Sequence, residues 1–246
     1  MVNFDEIFAG SGIRPSVSVL SASCPAPNAN IHFTFKRDLS IIEFEVNELK
    51  LIAITGGIAT GKSAVSRYLR TLGYPVIDAD MIGHEVLELD DVKKSLIQEF
   101  GKITDIEGKI DRKQLGKIVF SEPEKLKTLD SITHRRIVEM ILNQARELGK
   151  MSDEVFIEAA VLFEMGLDKY VDFIIVTDCP DEIRIHRMIL RDHLSAEEAD
   201  KRLKAQLPRE EYLKRADFVI ETSEELEKTF EKVFEMVKNK PWNSEN

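Results

Sequence analysis

The stretch Leu51–Asp80, LIAITGGIATGKSAVSRYLRTLGYPVIDAD, constrains this chain more than any other. It opens on Leu-Ile-Ala-Ile-Thr, branched and apolar enough to be a buried strand. Gly56 to Ser63 (GGIATGKS) then satisfy the phosphate-loop pattern G-x-x-x-x-G-K-[ST], and a helical stretch with Val65, Leu69 and Leu72 on one face follows at once. Strand, glycine loop and helix in that order make an anion cradle. Backbone N–H groups of the loop and of the first helical turn point at a phosphate, and the helix N-terminus adds positive potential. Glycines, Gly57 among them, let the main chain curl around phosphates with no Cβ in the way. Lys62 is expected to reach the β- and γ-phosphates, and the Ser63 hydroxyl to take a place on Mg²⁺.

Composition narrows the partners. The net charge is −10, from 34 Lys+Arg against 44 Asp+Glu, which argues against a nucleic-acid binder that relies on a broad basic surface. An anionic substrate must then be held by a few locally concentrated cations. Two cysteines far apart in sequence, Cys24 and Cys179, suggest neither a disulfide framework nor a cysteine metal cluster, so a reducing cytoplasm is the expected setting. No apolar run approaches the roughly 18–20 residues of a membrane span. His32, His186 and His193 show no metal-ligand spacing.

Residues 1–50 differ in character. Ser11–Asn30 is dense in Ser, Pro, Ala and Asn, which reads as a disordered or loosely packed extension, although Ile31–Phe35 and Ile41–Val46 alternate enough for short strands. Met1–Ser11 has no basic stretch, which argues against a secretory signal. Beyond residue 50 the pattern alternates strand and helix. Further strands are expected at Val76–Asp78, Val155–Ala160, Asp172–Thr177 and Phe218–Glu221. Helices are expected from an Asp111 N-cap to Phe120, from Ser121-Glu122-Pro123 to Gly149 with a break near Ser131–Thr133, and from Pro180 to Arg191. Ser195-Ala196-Glu197-Glu198 reads as a capping box, and Thr222-Ser223-Glu224-Glu225 as a similar start to a last amphipathic helix. The fold class is therefore α/β, a parallel sheet covered on both faces, with a helical insertion at about 81–150 over the carboxyl edge of the sheet, where such folds bind ligands.

A phosphate loop alone does not distinguish a kinase from a GTPase. Asp105–Gly108 matches D-x-x-G, but no strand precedes it, and Asn239-Lys240-Pro241-Trp242 lacks the final Asp of a guanine-recognition motif. Two features favour transfer to a small acceptor. Asp78 and Asp80 close a strand, and alternation along an extended chain sends both carboxylates to one side, where one could take an acceptor proton and the other order Mg²⁺. Arg184, Arg187 and Arg191 share one helix face, a candidate phosphate clamp, unless they are solvated charges paired with Glu182 or Asp192.

ITGGIATGKS, VIDAD, KIDRKQLGKIVF, EAAVLFE, HRMILRD and AQLPREEYLKRADFVIE, in that order over about residues 51–238, resemble the dephospho-CoA kinase family. The resemblance implies a five-stranded parallel sheet like that of the P-loop nucleoside-monophosphate kinases, a CoA-binding insertion and a lid at about 184–212. It also implies ATP-dependent phosphorylation of the ribose 3′-hydroxyl of dephospho-CoA; a monomer or small homo-oligomer is expected. Carried over by position, Ala59, Thr60, Gly61, Lys62, Ser63 and Ala64 match the ATP-binding loop, and Asp80 matches the general base. Arg187 and Arg191 match lid arginines near the nucleotide; Gln206 and the Ala216-Asp217 pair match a downstream motif. On the acceptor side, Asp78, His84, Arg112 and His134 are the expected substrate contacts. Glu158 stands where the family usually has Asp, Ala160 where it has Pro, and His84 where Arg is common. The alternatives are another small-molecule or nucleotide kinase of this architecture, or a non-catalytic nucleotide-binding regulator.

Overall fold

The computed structural model describes residues 30–32, 45–119 and 121–243. Asn30–His32 (β1) pairs antiparallel with Glu45–Asn47 (β2), overlapping the two runs read as short strands; residues 33–44 lie outside the described residues. The main sheet is five-stranded and parallel throughout. It is built from Lys50–Thr55 (β3), Val76–Asp78 (β4), Glu154–Glu158 (β5), Phe173–Asp178 (β6) and Phe218–Glu221 (β7), in the order β4-β5-β3-β6-β7.

Side-chain alternation explains why both faces of this sheet are covered. Ala53, Val155 and Ile157 face one core, with Ile82 and Val86 of Ala79–Val86 (α2), Leu96 of Asp90–Phe100 (α3), Leu115 of Arg112–Val119 (α4) and Ile141 of Pro123–Leu148 (α5). Ile52, Ile54 and Phe156 face the other, with Val65 and Leu69 of Lys62–Thr71 (α1) and Val233 and Val237 of Leu226–Asn239 (α9). Between β6 and β7 run Asp181–Asp192 (α6), Ala196–Lys204 (α7) and Arg209–Lys214 (α8).

At the end of the sheet away from the phosphate loop, Trp242 is buried edge-on against Phe156 and Phe173, and its indole Nε1 donates to the Glu154 carboxylate at 2.9 Å. Lys240 Nζ reaches the same carboxylate oxygen at 2.9 Å, so this buried acid is paired rather than orphaned.

Local signals account for most helix ends. Asp111 accepts from the Lys113 and Gln114 amides and so caps α4, which ends at Val119; Phe120 lies outside the described residues. Ser195 forms the expected capping box with Glu198. Two expectations fail. Helix α5 runs unbroken through Ser131–Thr133, because Ser131 and Thr133 turn their hydroxyls back onto the Thr128 and Leu129 carbonyls and satisfy themselves within the helix. The last helix starts at Leu226 rather than at a Thr222 cap, since the Thr222 hydroxyl is engaged elsewhere.

Candidate active site

The phosphate loop leaves the middle strand of the sheet and curls with Gly56 at φ 141°, Ala59 at φ 60° and Gly61 at φ 94° before α1 begins. Each of its carbonyls is taken by a donor. Lys62 Nζ donates to the Gly56 and Gly57 carbonyls at 2.7 and 2.9 Å. Thr60 Oγ1 also donates to Gly57 O and lies 2.7 Å from Thr177 Oγ1. Arg184 Nε donates to Ile58 O at 3.0 Å, Arg187 Nη1 to Ala59 O at 3.2 Å, and Thr222 Oγ1 to Thr60 O at 2.7 Å. Gly61 O takes the Ala64 and Val65 amides. With the carbonyls occupied, the amides of Ala59, Gly61, Lys62 and Ser63 are left without an acceptor among the described residues, a concave set of donors suited to an anion.

Arg184, 3% exposed, is packed so closely over the loop that a Cβ on Gly57 would fall 2.2 Å from its Nη2. Its counter-ion is Asp181, at 2.9 Å. Arg187 is held twice over by Thr222, through Oγ1 and the carbonyl. Arg191 is exposed and paired with its neighbour Asp192 at 2.8 Å, one of the two partners expected for a solvated charge. The three arginines thus share a helix, but two of them brace the loop and the third lies at its rim. A cleft of about 510 Å³ at Ala59, Lys62 and Ser63 is lined further by Arg67 of α1, by Arg187, Leu190 and Arg191 of α6, and by Glu224 and Leu226. Leu190 and Leu226 are 64% and 50% exposed, apolar walls open to solvent.

The carboxylates arrive from neighbouring strand ends. Asp78 ends β4, and Glu158, its register partner, ends β5 beside the loop strand. The alternation argument for Asp78 and Asp80 does not hold, because the chain turns helical after Asp78. The Asp78 carboxylate accepts from the Asp80 and Met81 amides at 3.0 and 3.1 Å and caps α2, which puts Asp80 in the first helical turn. Although Asp80 keeps an exposed surface, desolvation by the groups around it and the Asp78 charge raise its pKa above the usual carboxylate range, opposed by Lys62. Burial pushes the Lys62 ammonium down to about 8, against the pull of Glu158 and Asp80. Ser63 Oγ donates to Glu158 Oε1 at 2.7 Å. Thus Lys62, Ser63, Asp80 and Glu158 form one charged cluster at the mouth of the loop.

The remaining expected residues lie on the insertion. His84 is exposed on α2, near enough to pull weakly on Asp80. Arg112 is the first residue of α4 and exposed; His134, on α5, pairs with Asp130 at 3.2 Å. Among the described residues, no hydrogen bond or ion pair joins Arg112 or His134 to the loop. Reading the sequence singled out neither Glu158 as a partner of Ser63 nor Thr177 and Thr222 as loop braces. An acid closing the apolar run Val-Phe-Ile-Glu was the available signal for Glu158, whereas nothing local marks the two threonines.

A protein-family model described as dephospho-CoA kinase matches residues 50–228. The chain belongs to the dephospho-CoA kinase family. A dephospho-CoA kinase of Fusobacterium nucleatum is 44% identical over 188 residues, covering 75% of this chain and 95% of that protein. Among solved structures, TT1252 from Thermus thermophilus matches with a TM-score of 0.69 at 34% identity, covering 78% of this chain and 98% of that one. The dephospho-CoA kinase from Campylobacter jejuni matches with a TM-score of 0.60, also at 34% identity, covering 77% and 98%. Among the described residues, no helix of this family member is long and apolar enough to cross a membrane.

Proposed function

We propose that the protein transfers the γ-phosphoryl group of ATP to the ribose 3′-hydroxyl of dephospho-CoA, giving coenzyme A and ADP. The observation that carries this reading is the pairing, in a member of the dephospho-CoA kinase family, of an amide-lined cradle with a raised-pKa carboxylate at its mouth. ATP phosphates occupy the cradle, held by the amides of Ala59, Gly61, Lys62 and Ser63, and its base lies in the cleft between Leu190 and Leu226. Their negative charge restores the Lys62 ammonium that burial weakens.

Asp80 accepts the 3′-hydroxyl proton; the freed oxygen attacks the γ-phosphorus as the bond to the β-phosphate oxygen breaks, and ADP leaves with that electron pair. A carboxylate with a raised pKa is a stronger base than an ordinary aspartate, which suits the role. Arg187 and Arg191 face the charge that develops during transfer, Arg191 after leaving Asp192. The donors at Ser63 and Glu158 are hard oxygens, and among the described residues no three carboxylates, histidines or cysteines could hold a metal by themselves. Those oxygens fit a hard cation: Ser63, with Glu158 behind it, would hold an Mg²⁺. Bound there, Mg²⁺ neutralises phosphate charge. On the acceptor side, Asp78, His84, Arg112 and His134 contact dephospho-CoA, Arg112 through its phosphates.

Steady-state ADP release with ATP, MgCl₂ and dephospho-CoA tests the proposal, set against shikimate and nucleoside monophosphates as rival acceptors. Turnover is expected with dephospho-CoA alone. Turnover with another acceptor and none with dephospho-CoA would overturn the reading.

A further inference from the structure

Not every amide of the phosphate loop faces the cradle. The Ile58 N–H donates to Gln206 Oε1 at 2.6 Å, across 148 positions of sequence. The same oxygen accepts from Arg184 Nη2 at 3.4 Å, while Arg184 Nε donates to the Ile58 carbonyl, closing a ring of hydrogen bonds around Ile58. Gln206 itself is well anchored. Two residues after α7 ends, its amide donates to the Leu203 carbonyl, and three residues later Arg209 grips the Asp178 carboxylate at the end of β6 with two bonds of 2.8 and 2.6 Å.

We propose that Gln206 is a positioning residue for nucleotide binding, fixing the orientation of the peptide between Gly57 and Ile58 and with it the shape of the cradle. This rests on the nucleotide site described under the proposed function. That peptide is held at both ends, by Lys62 and Thr60 at the Gly57 carbonyl and by Gln206 at the Ile58 amide. Without Gln206 the amide end loses its acceptor. Gly57, lacking a Cβ, offers little resistance to a flip that turns its carbonyl oxygen toward the phosphates. A carbonyl dipole in the cradle repels the anion that the amides attract. Gln206 thus makes the phosphate seat depend on the connection between α7 and α8, outside the loop's own sequence.

Isothermal titration of ATP into wild type, Gln206→Ala and Gln206→Asn, without acceptor, tests this directly. Asn is one methylene too short to reach Ile58, so it controls for lost polarity. Both variants should bind ATP roughly tenfold more weakly, the worth of about one hydrogen bond. In steady state, the KM for ATP should rise by a similar factor while that for dephospho-CoA stays within about twofold, a split that general loosening of the fold does not produce. ATP affinity within about twofold of wild type in both folded variants, or a parallel rise of both KM values, would overturn the role of Gln206. Wild type failing to bind ATP would instead overturn the nucleotide site on which the role rests.

Discussion

Six consecutive carbonyls of the phosphate loop, Gly56 to Gly61, each accept a hydrogen bond. On the proposed acceptor side, by contrast, Arg112 stands exposed at a helix start, His84 is exposed, and His134 is paired with an acid on its own helix. The sheet repeats the contrast. The loop strand β3 has neighbours on both sides, while β4, which delivers Asp78 and Asp80, is a three-residue strand paired on one side only. On the proposed assignment, the nucleotide half is formed before ligand arrives, and the acceptor half offers side chains that the acceptor itself must gather. Preorganisation of this kind spares ATP the ordering cost and leaves it to be met from acceptor binding energy.

The largest expected effect falls where the halves meet. Asp80→Asn should lower kcat by roughly 10²–10⁴-fold, with ATP affinity by titration nearly unchanged. A mutant that keeps most of its rate would show that Asp80 only orients the acceptor. Because the proposed base works deprotonated and its pKa is raised, the acid limb of the wild-type rate profile should lie above the usual carboxylate range near 4 and should vanish in Asp80→Asn.

Next comes a substitution that breaks the formed half alone. A Cβ on Gly56 would sit 2.3 Å from the Thr177 backbone carbonyl, at a φ of 141° that side chains avoid. Gly56→Ala should therefore cost about 2–4 kcal/mol of stability in denaturant unfolding, and abolish tight ATP binding. A neutral result would mean the loop is softer than its bonding implies. On the other half, Arg112→Ala should raise the KM for dephospho-CoA roughly tenfold and leave the KM for ATP and the Tm alone. A shift in both KM values would erase the proposed independence of the halves.

The smallest effect sharpens the comparison. Ala59 sits at φ 60°, a left-handed strain that Ala59→Gly would relieve. The gain of about 1 kcal/mol is partly offset by the greater chain entropy of glycine, so a net rise of about 0.5 kcal/mol is expected.

What could be read from the sequence follows the range of the forces involved. The strand, loop and helix around Lys62 and the Ser195 capping box are specified by neighbours within a few residues, and both formed as expected. The braces of the loop come from 126 positions away in the case of Arg184 and 162 in the case of Thr222, distances over which no periodicity carries information. Asp78 and Asp80 show a subtler failure. The pattern located both carboxylates but assumed an extended chain, whereas Asp78 is itself a helix cap, and a cap ends the alternation. The arginine face on α6 was legible, as was the Asp192 partner of Arg191, but the loop carbonyls that Arg184 and Arg187 reach were not.

Trp242 is the chain's single tryptophan, and it lies buried at the far end of the sheet from the cradle, against Phe156 and Phe173. Nature has thereby supplied an optical probe that is blind to ligand and sensitive to collapse of the whole sheet. Its emission should stay constant through an ATP titration and shift to longer wavelength only when the fold opens. Intrinsic fluorescence can therefore weigh the stability of every variant above without labels, and without confusing a lost fold with a lost ligand.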